Sequence, residues 1–313
     1  MTLSLADTRD VLVSFGLCLA GAVVAPVLPM VGFPLCALAL ARLAYRGRAV
    51  PAAVIAGVAV AFAALLRPSD AVLLGPGLIA VLVAAGQVRR SRALTVSILL
   101  VPALALSFAM GEFANAWLMG LTYREYVAQI AVVVEPAMAG LSAAGAVTGE
   151  ALVDSIVRFA PSGYVVLAVV TAVPTMLVIG RAGARTGTEV NRLPSLDRVD
   201  LSPHILWLPI LALLGMAAGR FTGDPEGLVA TVGLNLLLVA RIALFVQGLA
   251  VVSSWLRTMG VGRTGRVFAY GAAFLADSAT WVVSLMGLVD FWVNLRKIDR
   301  GDSGEPETPD SVA

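Results

Sequence analysis

The chain has 313 residues, of which 59% are hydrophobic and only 13% are charged, and its mean hydropathy is +0.91. Soluble globular proteins carry about 25% charged residues, so this chain lacks the polar side chains that a water-facing surface needs. The composition therefore excludes an ordinary soluble protein and favours one polytopic bundle, in which each span uses about 20 apolar residues.

The rare charged and metal-binding residues exclude several chemistries. Lys297 is the single lysine and precedes Ile298, whereas a P-loop needs a Gly-Lys-Ser/Thr run. The single histidine, His204, is distant in sequence from both cysteines, so zinc sites and Cys–His catalysis lack clustered ligands. A net charge of +2 gives no electrostatic argument for nucleic acid. We expect no catalytic residues, no metal, no cofactor and no nucleic-acid partner.

Nine apolar blocks follow one another along the chain. None alternates polar and apolar residues at period two, as a barrel strand would, and helices satisfy their own backbone in hydrocarbon. The second block is short and proline-rich at its start, so it is either a half-helix or a kinked continuation of the first. We predict an all-α transmembrane helix bundle of about eight or nine spans over residues 1–298. The blocks are residues 11–29, 31–45, 51–66, 70–88, 93–111, 161–180, 204–219, 227–256 and 264–292.

Arginine placement predicts the orientation in the membrane. Four connections hold thirteen arginines against two acids, namely 42–48, 89–92, 181–198 and 257–266. The alternate connections hold four arginines against eight acids, namely 67–70, 112–160 and 220–226. Short cytoplasmic loops collect basic residues. The first set is therefore predicted to face the cytoplasm, in a multi-pass protein of the bacterial cytoplasmic (inner) membrane.

The last apolar block conflicts with this orientation. If residues 264–292 cross the membrane once, the basic residues at 296–300 lie on the opposite side from those at 257–266. Either the block is not a simple span, or one basic cluster lies outside. The basic-residue rule leaves both alternatives open, because each cluster holds three basic residues.

Residues 112–160, the longest piece between predicted spans, are interpreted as an external amphipathic helical insertion. Asp154 and Arg158 are spaced as a favourable i, i+4 pair on a helix that Pro161 is expected to end. A second helix, at 124–134, is expected to stop at Pro136.

The C-terminal segment 299–313 is polar and contains glycine, serine and proline. Such a segment cannot bury enough apolar surface to offset the entropy of ordering, so we predict a disordered tail.

Three polar residues interrupt the block 227–256. Asn235, Arg241 and Gln247 follow one another at intervals of six residues. Six residues turn a helix by about 240°, so the three side chains point in directions about 120° apart. The helix is therefore expected to be surrounded by protein or by a polar cavity rather than by lipid.

Arg241 lies near the middle of its block, where a charge costs about 2.5–3.5 kcal/mol on insertion scales. Asp277, inside the last block, is the obvious counter-ion, and Ser284 follows it on the same helical face. One interpretation is a ligand cavity, and the other is a structural ion pair between two helices. The candidate ligand-binding residues are Asn235, Arg241, Gln247, Asp277 and Ser284. The candidate structural or partner-docking residues are Asp290, Asn294, Arg296 and Lys297.

Several runs resemble the YybS-like family of bacterial membrane proteins. They are 235–251, from Asn235 to Val251, and 287–297, which reads Gly-Leu-Val-Asp-Phe-Trp-Val-Asn-Leu-Arg-Lys. The Leu-Pro and Trp-Leu-Pro motifs at 193–194 and 207–209, and the proline-rich segment 26–36, are also similar. That family's organisation is similar to the S-components of energy-coupling-factor transporters, which capture vitamins or metal ions. The resemblance implies a ligand-capturing subunit energised by separate chains, a transport ATPase and coupling subunits.

Three functions are consistent with these observations. The first is a membrane transport subunit that captures a small polar solute. The second is a non-transporting membrane scaffold, in which the polar groups join helices and the basic loops dock a partner. The third, an intramembrane enzyme that uses Asp154, Asp277 or Asp290, has no residue spacing that specifies a reaction, so we expect the chain not to be an enzyme.

Overall fold

The computed structural model describes residues 5–139 and 149–298. Over these ranges it consists of α-helices and two short 3-10 turns, without strands, and the predicted all-α class is confirmed. The predicted disordered tail, 299–313, lies outside the described residues. The helices are α1 (Leu5–Val24), α2 (Pro29–Tyr45), α3 (Ala49–Leu66), α4 (Pro68–Gln87), α5 (Ala93–Leu118), α6 (Tyr123–Ala139), α7 (Gly149–Thr186), α8 (Trp207–Phe221), α9 (Leu228–Thr258), α10 (Arg263–Thr280) and α11 (Val282–Val293).

Six helices in the described ranges are long and apolar enough to cross a membrane, namely α3, α4, α5, α7, α8 with its preceding turn, and α9. The bent pair α10–α11 brings the number to seven if the pair is one span. The helix α2 is apolar but has only 17 residues, and α1 begins with a charged turn that includes Arg9 and Asp10. The expected eight or nine spans therefore require α1 and α2 to cross as well.

The chain divides into two compact units. Unit 1 comprises residues 1–194 and 208–239, and unit 2 comprises residues 195–207 and those from 240 onward. The helix α9 contributes its first twelve residues, Leu228 to Val239, to unit 1 and the remainder to unit 2.

The core of unit 1 is built around α2. This helix packs against α1, α3, α4 and α7, and Phe33 on α2 meets Phe108 on α5 edge-on, with 5.8 Å between the ring centres. Arg42 and Arg46 near the end of α2 both pair with Asp10 near the start of α1. The second apolar block is therefore a separate helix, antiparallel to the first, and neither a half-helix nor a kinked continuation of it.

Prolines do not end the helices of the region 112–160. The helix α6 continues past Pro136 to Ala139, and α7 continues through Pro161 for 38 residues in all. Both predicted stops are wrong. Proline in a helix removes one backbone hydrogen bond, but neighbouring side chains can bind backbone groups that the proline disturbs, as Asn235 does at the adjacent pair Arg158 and Ser162 of α7.

The predicted pair between Asp154 and Arg158 is also wrong. Asp154 instead pairs with Arg124 on α6, at 2.7 Å, and Arg158 donates to the carbonyl of Pro225. The sequence spacing brings Asp154 and Arg158 to one face of α7, but α6 offers a nearer cation, since α6 and α7 pack together.

In unit 2, the last apolar block is two helices rather than one. The helix α10 ends at Thr280, and α11 begins at Val282 at an angle of 96° to it. Between them Trp281 adopts a left-handed conformation with φ of 60°. The predicted common helical face of Asp277 and Ser284 is therefore wrong, although the bend itself brings these two residues together.

The bent pair of α10 and α11 brings the chain back toward the end of α9 from which α10 starts. The helix α10 runs antiparallel to α9, because Tyr270 contacts Ser253 near the end of α9 and Phe274 contacts Phe245 about two turns earlier in α9. Arg257, at the end of α9, and Arg296, after α11, both bind Asp197. The helix α11 has 12 residues, about 18 Å, which is shorter than the ~30 Å hydrocarbon core.

The end of α11 therefore lies at the same end of α9 as the loop that starts α10. This geometry selects the first alternative left open by the basic residues: the block 264–292 is not a simple span. We therefore predict that residues 296–297 lie on the same side of the membrane as the arginines at 257–266, an arrangement that would remove the conflict.

We expect Lys297→Cys and Met259→Cys to be labelled from the same side of the membrane. Both native side chains are exposed, and the re-entrant pair places them at one end of α9. The measurement is reaction with a membrane-impermeant maleimide in right-side-out and inside-out vesicles. The two native cysteines, Cys18 and Cys36, are buried and free, so they contribute little background.

Glu226→Cys, in the turn before α9, is the matched control and should react only from the opposite face. If Lys297→Cys is labelled together with Glu226→Cys, then α10 and α11 cross the membrane as one span.

Candidate functional site

Asn235 lies in unit 1 and is buried with 7% of its surface exposed. Its amide oxygen accepts the N–H of Ser162 at 3.0 Å, and its amide nitrogen donates to the carbonyl of Arg158 at 2.8 Å. In a regular helix these two backbone groups would bond to each other. Pro161 interrupts α7 at this turn, so Asn235 bridges the gap that the proline opens.

Arg241 and Asp277 form the ion pair expected from the sequence. The Nη2 atom of Arg241 lies 3.4 Å from a carboxylate oxygen of Asp277 and 2.7 Å from its backbone carbonyl oxygen. The side chain of Asp277 is 6% exposed and that of Arg241 is 23% exposed. The guanidinium therefore neutralises the carboxylate and also binds the open C-terminal end of α10.

Asp277 also caps the start of α11. One carboxylate oxygen accepts the N–H of Ser284 at 2.7 Å, and the other accepts the Ser284 hydroxyl at 2.9 Å. A carboxylate at a helix N-terminus satisfies a free N–H group and complements the helix dipole. Asp277 thus joins the end of one helix to the beginning of the next.

Trp281 completes this group of residues. Its indole ring lies under the guanidinium of Arg241, with 4.3 Å from Cζ to the ring centre, which is a cation–π contact. Its left-handed backbone costs about 1–3 kcal/mol for a bulky residue, and such strain persists only where the surroundings impose it. We call the four residues Arg241, Asp277, Trp281 and Ser284 the helix-break site.

Arg241 retains donors that the protein does not use. Both of its hydrogen bonds run through Nη2, and within the described ranges Nε and Nη1 have no hydrogen-bond partner. Because nearly a quarter of the side chain is exposed, these nitrogens can bind an oxygen that the protein itself does not supply.

Gln247 is fully buried in unit 2 and uses both ends of its amide. Its oxygen accepts the N–H of Leu201, and its nitrogen donates to Asp200 at 3.0 Å and to Asp290 at 2.9 Å. Arg296 binds the same two carboxylates. We call Asp200, Gln247, Asp290 and Arg296 the anchor cluster.

Arg296 is the centre of the anchor cluster. Its Nε and Nη2 atoms donate to Asp290 at 3.0 and 2.9 Å, and Nη2 also donates to Asp200 at 2.9 Å. Its Nη1 donates to the carbonyls of Asp197 and Val199. The side chains of Arg296 and Asp290 are 1% and 0% exposed, so their burial fits a structural role rather than the docking of a partner.

The other two candidate docking residues end α11. Asn294 adopts a left-handed conformation with φ of 49°, and its side chain bonds both the N–H and the carbonyl of Ile298. Lys297 is exposed. Asn294 therefore shapes the turn, and Lys297 is the accessible member of the pair.

Asp197, in the loop before α8, fixes the end of α9. Burial raises the pKa of its carboxyl, but hydrogen bonds from Ser195 and Arg257 outweigh burial and bring the pKa below its ordinary value. The carboxylate is thus charged at neutral pH and pairs with Arg257 at 2.5 Å.

A close crossing of two helices at Gly248 and Gly287 in unit 2 was not predicted from the sequence. A Cβ atom on Gly248 of α9 would overlap the carbonyl of Val283, and one on Gly287 of α11 would overlap the carbonyl of Leu244. The two helix backbones therefore touch at this crossing. A glycine inside a helical pattern is the signal that could have indicated it.

The structure thus divides the five predicted ligand residues. Arg241, Asp277 and Ser284 meet at the helix-break site, Gln247 belongs to the anchor cluster, and Asn235 bridges α7 in the other unit. The predicted three directions of Asn235, Arg241 and Gln247 correspond to three different sets of partners. A ligand-binding role for any of them stays a prediction.

Comparison with known proteins gives one family. A family model described as predicted membrane protein (DUF2232) matches residues 12–291, well over half of the chain. No match to the chain was found among curated proteins or among solved structures.

We expect Asn235→Ala to destabilise the protein by about 1–3 kcal/mol, because it leaves two buried backbone groups of α7 without partners. The measurement is the thermal unfolding midpoint in detergent. In a Pro161→Ala background α7 can close its own hydrogen bonds, so the cost of Asn235→Ala should fall. An equal cost in both backgrounds would show that Asn235 does not bridge the proline gap.

We expect Arg296→Gln to cost about 3–5 kcal/mol, because it leaves the buried carboxylate of Asp290 without its cation. The double variant Arg296→Met/Asp290→Leu should cost less than Arg296→Gln alone, since no charge is left buried. Lys297→Gln removes the neighbouring exposed charge and should be neutral. Equal unfolding midpoints for Arg296→Gln and Lys297→Gln would contradict the assigned role.

Proposed function

The chain belongs to the DUF2232 family of membrane proteins, and from this premise we propose that it is a transport protein of the bacterial inner membrane. In this proposal it captures a small anionic solute at the helix-break site. The observation that carries the proposal is the partly exposed Arg241, with unused donors, at a helix break in the last apolar block.

A broken helix within a membrane protein is a costly feature. Irregular backbone at membrane depth is tolerated where it is buried in protein or lines a polar cavity, and transporters use the ends of such half-helices to bind solutes. Here the N-terminus of α11 and the guanidinium of Arg241 both attract negative charge. The single negative charge of Asp277 balances only part of the combined positive charge of the guanidinium and the helix N-terminus.

The chemistry of Arg241 favours a carboxylate or a phosphate. A guanidinium donates strong, charge-assisted hydrogen bonds to anionic oxygens. With Nη2 engaged by Asp277, the donors Nε and Nη1 remain for the ligand, and because they lie on different edges of the guanidinium each binds a separate oxygen. Trp281 limits the approach to one side of the guanidinium plane. We propose a binding role for these groups and assign no catalytic step to them.

We propose that other protein chains supply the energy for transport. The chain has no Gly-Lys-Ser/Thr run for nucleotide binding. An S-component-like protein would rely on a separate transport ATPase and coupling subunits, and the resemblance of 235–251 and 287–297 to the YybS-like family supports this arrangement.

We expect at least one anionic vitamin to stabilise the purified protein against heat, and Arg241→Gln to weaken that binding by tenfold or more, about 1.4 kcal/mol. The probes are biotin, pantothenate, folate and riboflavin phosphate, with cationic thiamine as the negative probe. Arg263→Gln, which removes an exposed arginine of the same unit, is the matched control. The unfolding midpoint without ligand shows whether each variant is folded.

Two results would contradict the proposal. One is an unchanged affinity in Arg241→Gln, and the other is the absence of stabilisation by any anionic probe. Purification from native membranes, with mass spectrometry of the bound proteins, tests the energising partner. A stoichiometric partner other than a transport ATPase would instead support the membrane scaffold.

A further inference from the structure

We propose that unit 1 carries a binding site for one anionic phospholipid between α4 and α5, independent of the helix-break site. Two cavities adjoin here and share Val83 and Gln87. One is a groove of about 600 Å³ along the two helices, and the other is a cavity of about 570 Å³ at the end of α4. Because the two cavities share these residues, we treat them as the apolar part and the basic part of one site.

The groove has the length of one acyl chain in one leaflet. It runs along α4 from Pro76 to Gln87, which at 1.5 Å per residue is about 16 Å. Half of the ~30 Å hydrocarbon core is about 15 Å. The groove therefore extends from the membrane surface to about the bilayer centre.

Small residues on α4 leave space for the chain. Ala80 and Ala84 follow one another at a spacing of four residues, on the same face of the helix. Larger apolar residues form the rims, and three of them are more than half exposed, namely Ile79, Val83 and Leu99. The groove is thus open to the lipid side and lined with hydrocarbon.

The basic end carries Arg89 and Arg90, which are both exposed and line the second cavity. They lie in a connection that the arginine pattern predicts to be cytoplasmic. None of the residues that line the two cavities is acidic. Basic pockets between membrane helices on that side suit anionic lipid headgroups.

The loop that holds these arginines is fixed in place. Asn191 donates from its side chain to the carbonyls of Val88 and Ser91, at 3.2 and 3.0 Å, and its own N–H donates to Val88 at 2.9 Å. The carbonyls of Val88 and Ser91 are therefore occupied by these hydrogen bonds. Of the three arginines in this loop, Arg89 and Arg90 line the cavity.

The test is native mass spectrometry of the full chain in detergent, with phosphatidylglycerol and phosphatidylcholine of identical acyl chains. We expect phosphatidylglycerol to be retained more strongly, by about fivefold for each arginine that contacts it. Arg89→Gln/Arg90→Gln should abolish that preference. Arg263→Gln/Arg266→Gln removes the same charge from another basic loop and should leave the preference intact.

The groove is tested by a second variant, Ala80→Phe, which fills it and should lower the retention of both lipids. Ala53→Phe adds the same ring at an exposed position of α3 and is its control. The proposal is overturned if Arg89→Gln/Arg90→Gln keeps the preference, if both double arginine variants lose it equally, or if Ala80→Phe retains lipid like Ala53→Phe. If the double variant does not fold, as judged by its thermal unfolding, the single variant Arg90→Gln takes its place.

Discussion

The structure depends on one constraint: where a regular backbone is interrupted inside the membrane or the buried interior, the protein must supply the hydrogen bonds that water cannot. Asn235, Arg241 and Gln247 of α9 each meet this need for a different segment. Asn235 bridges α7 beside Pro161, Arg241 binds the carbonyl that ends α10, and Gln247 accepts the N–H of Leu201 in a non-helical stretch. These contacts explain why one apolar helix carries three polar side chains on three faces.

Much of this arrangement could be predicted from the sequence, because charge and helical period are local properties. The counter-ion of Arg241 and the three directions of Asn235, Arg241 and Gln247 follow from position alone. The break at Trp281 could not be predicted, since neither glycine nor proline marks it and a left-handed tryptophan is imposed by its surroundings. The continuation of α7 through proline was missed because its replacement partner lies more than seventy residues away in sequence.

The polar groups differ in how completely the protein satisfies them, and this difference separates architecture from a candidate function. Gln247 donates and accepts at both ends of its amide, and Arg296 donates from all three of its nitrogen groups. Arg241 donates from one nitrogen and is partly exposed. Buried ion pairs are often structural, so the anchor cluster fits helix attachment, whereas the helix-break site retains capacity for a ligand.

The contact between Gly248 and Gly287 restricts how this part of the molecule can move. Because the two backbones touch there, α11 cannot translate along α9 without first lifting away from it. Ser284 of the helix-break site and Asp290 of the anchor cluster lie three residues before and three residues after Gly287. A tilt of α11 about this crossing would therefore displace these two residues in opposite directions, so the hydrogen bonds of the two sites are mechanically linked through one short helix.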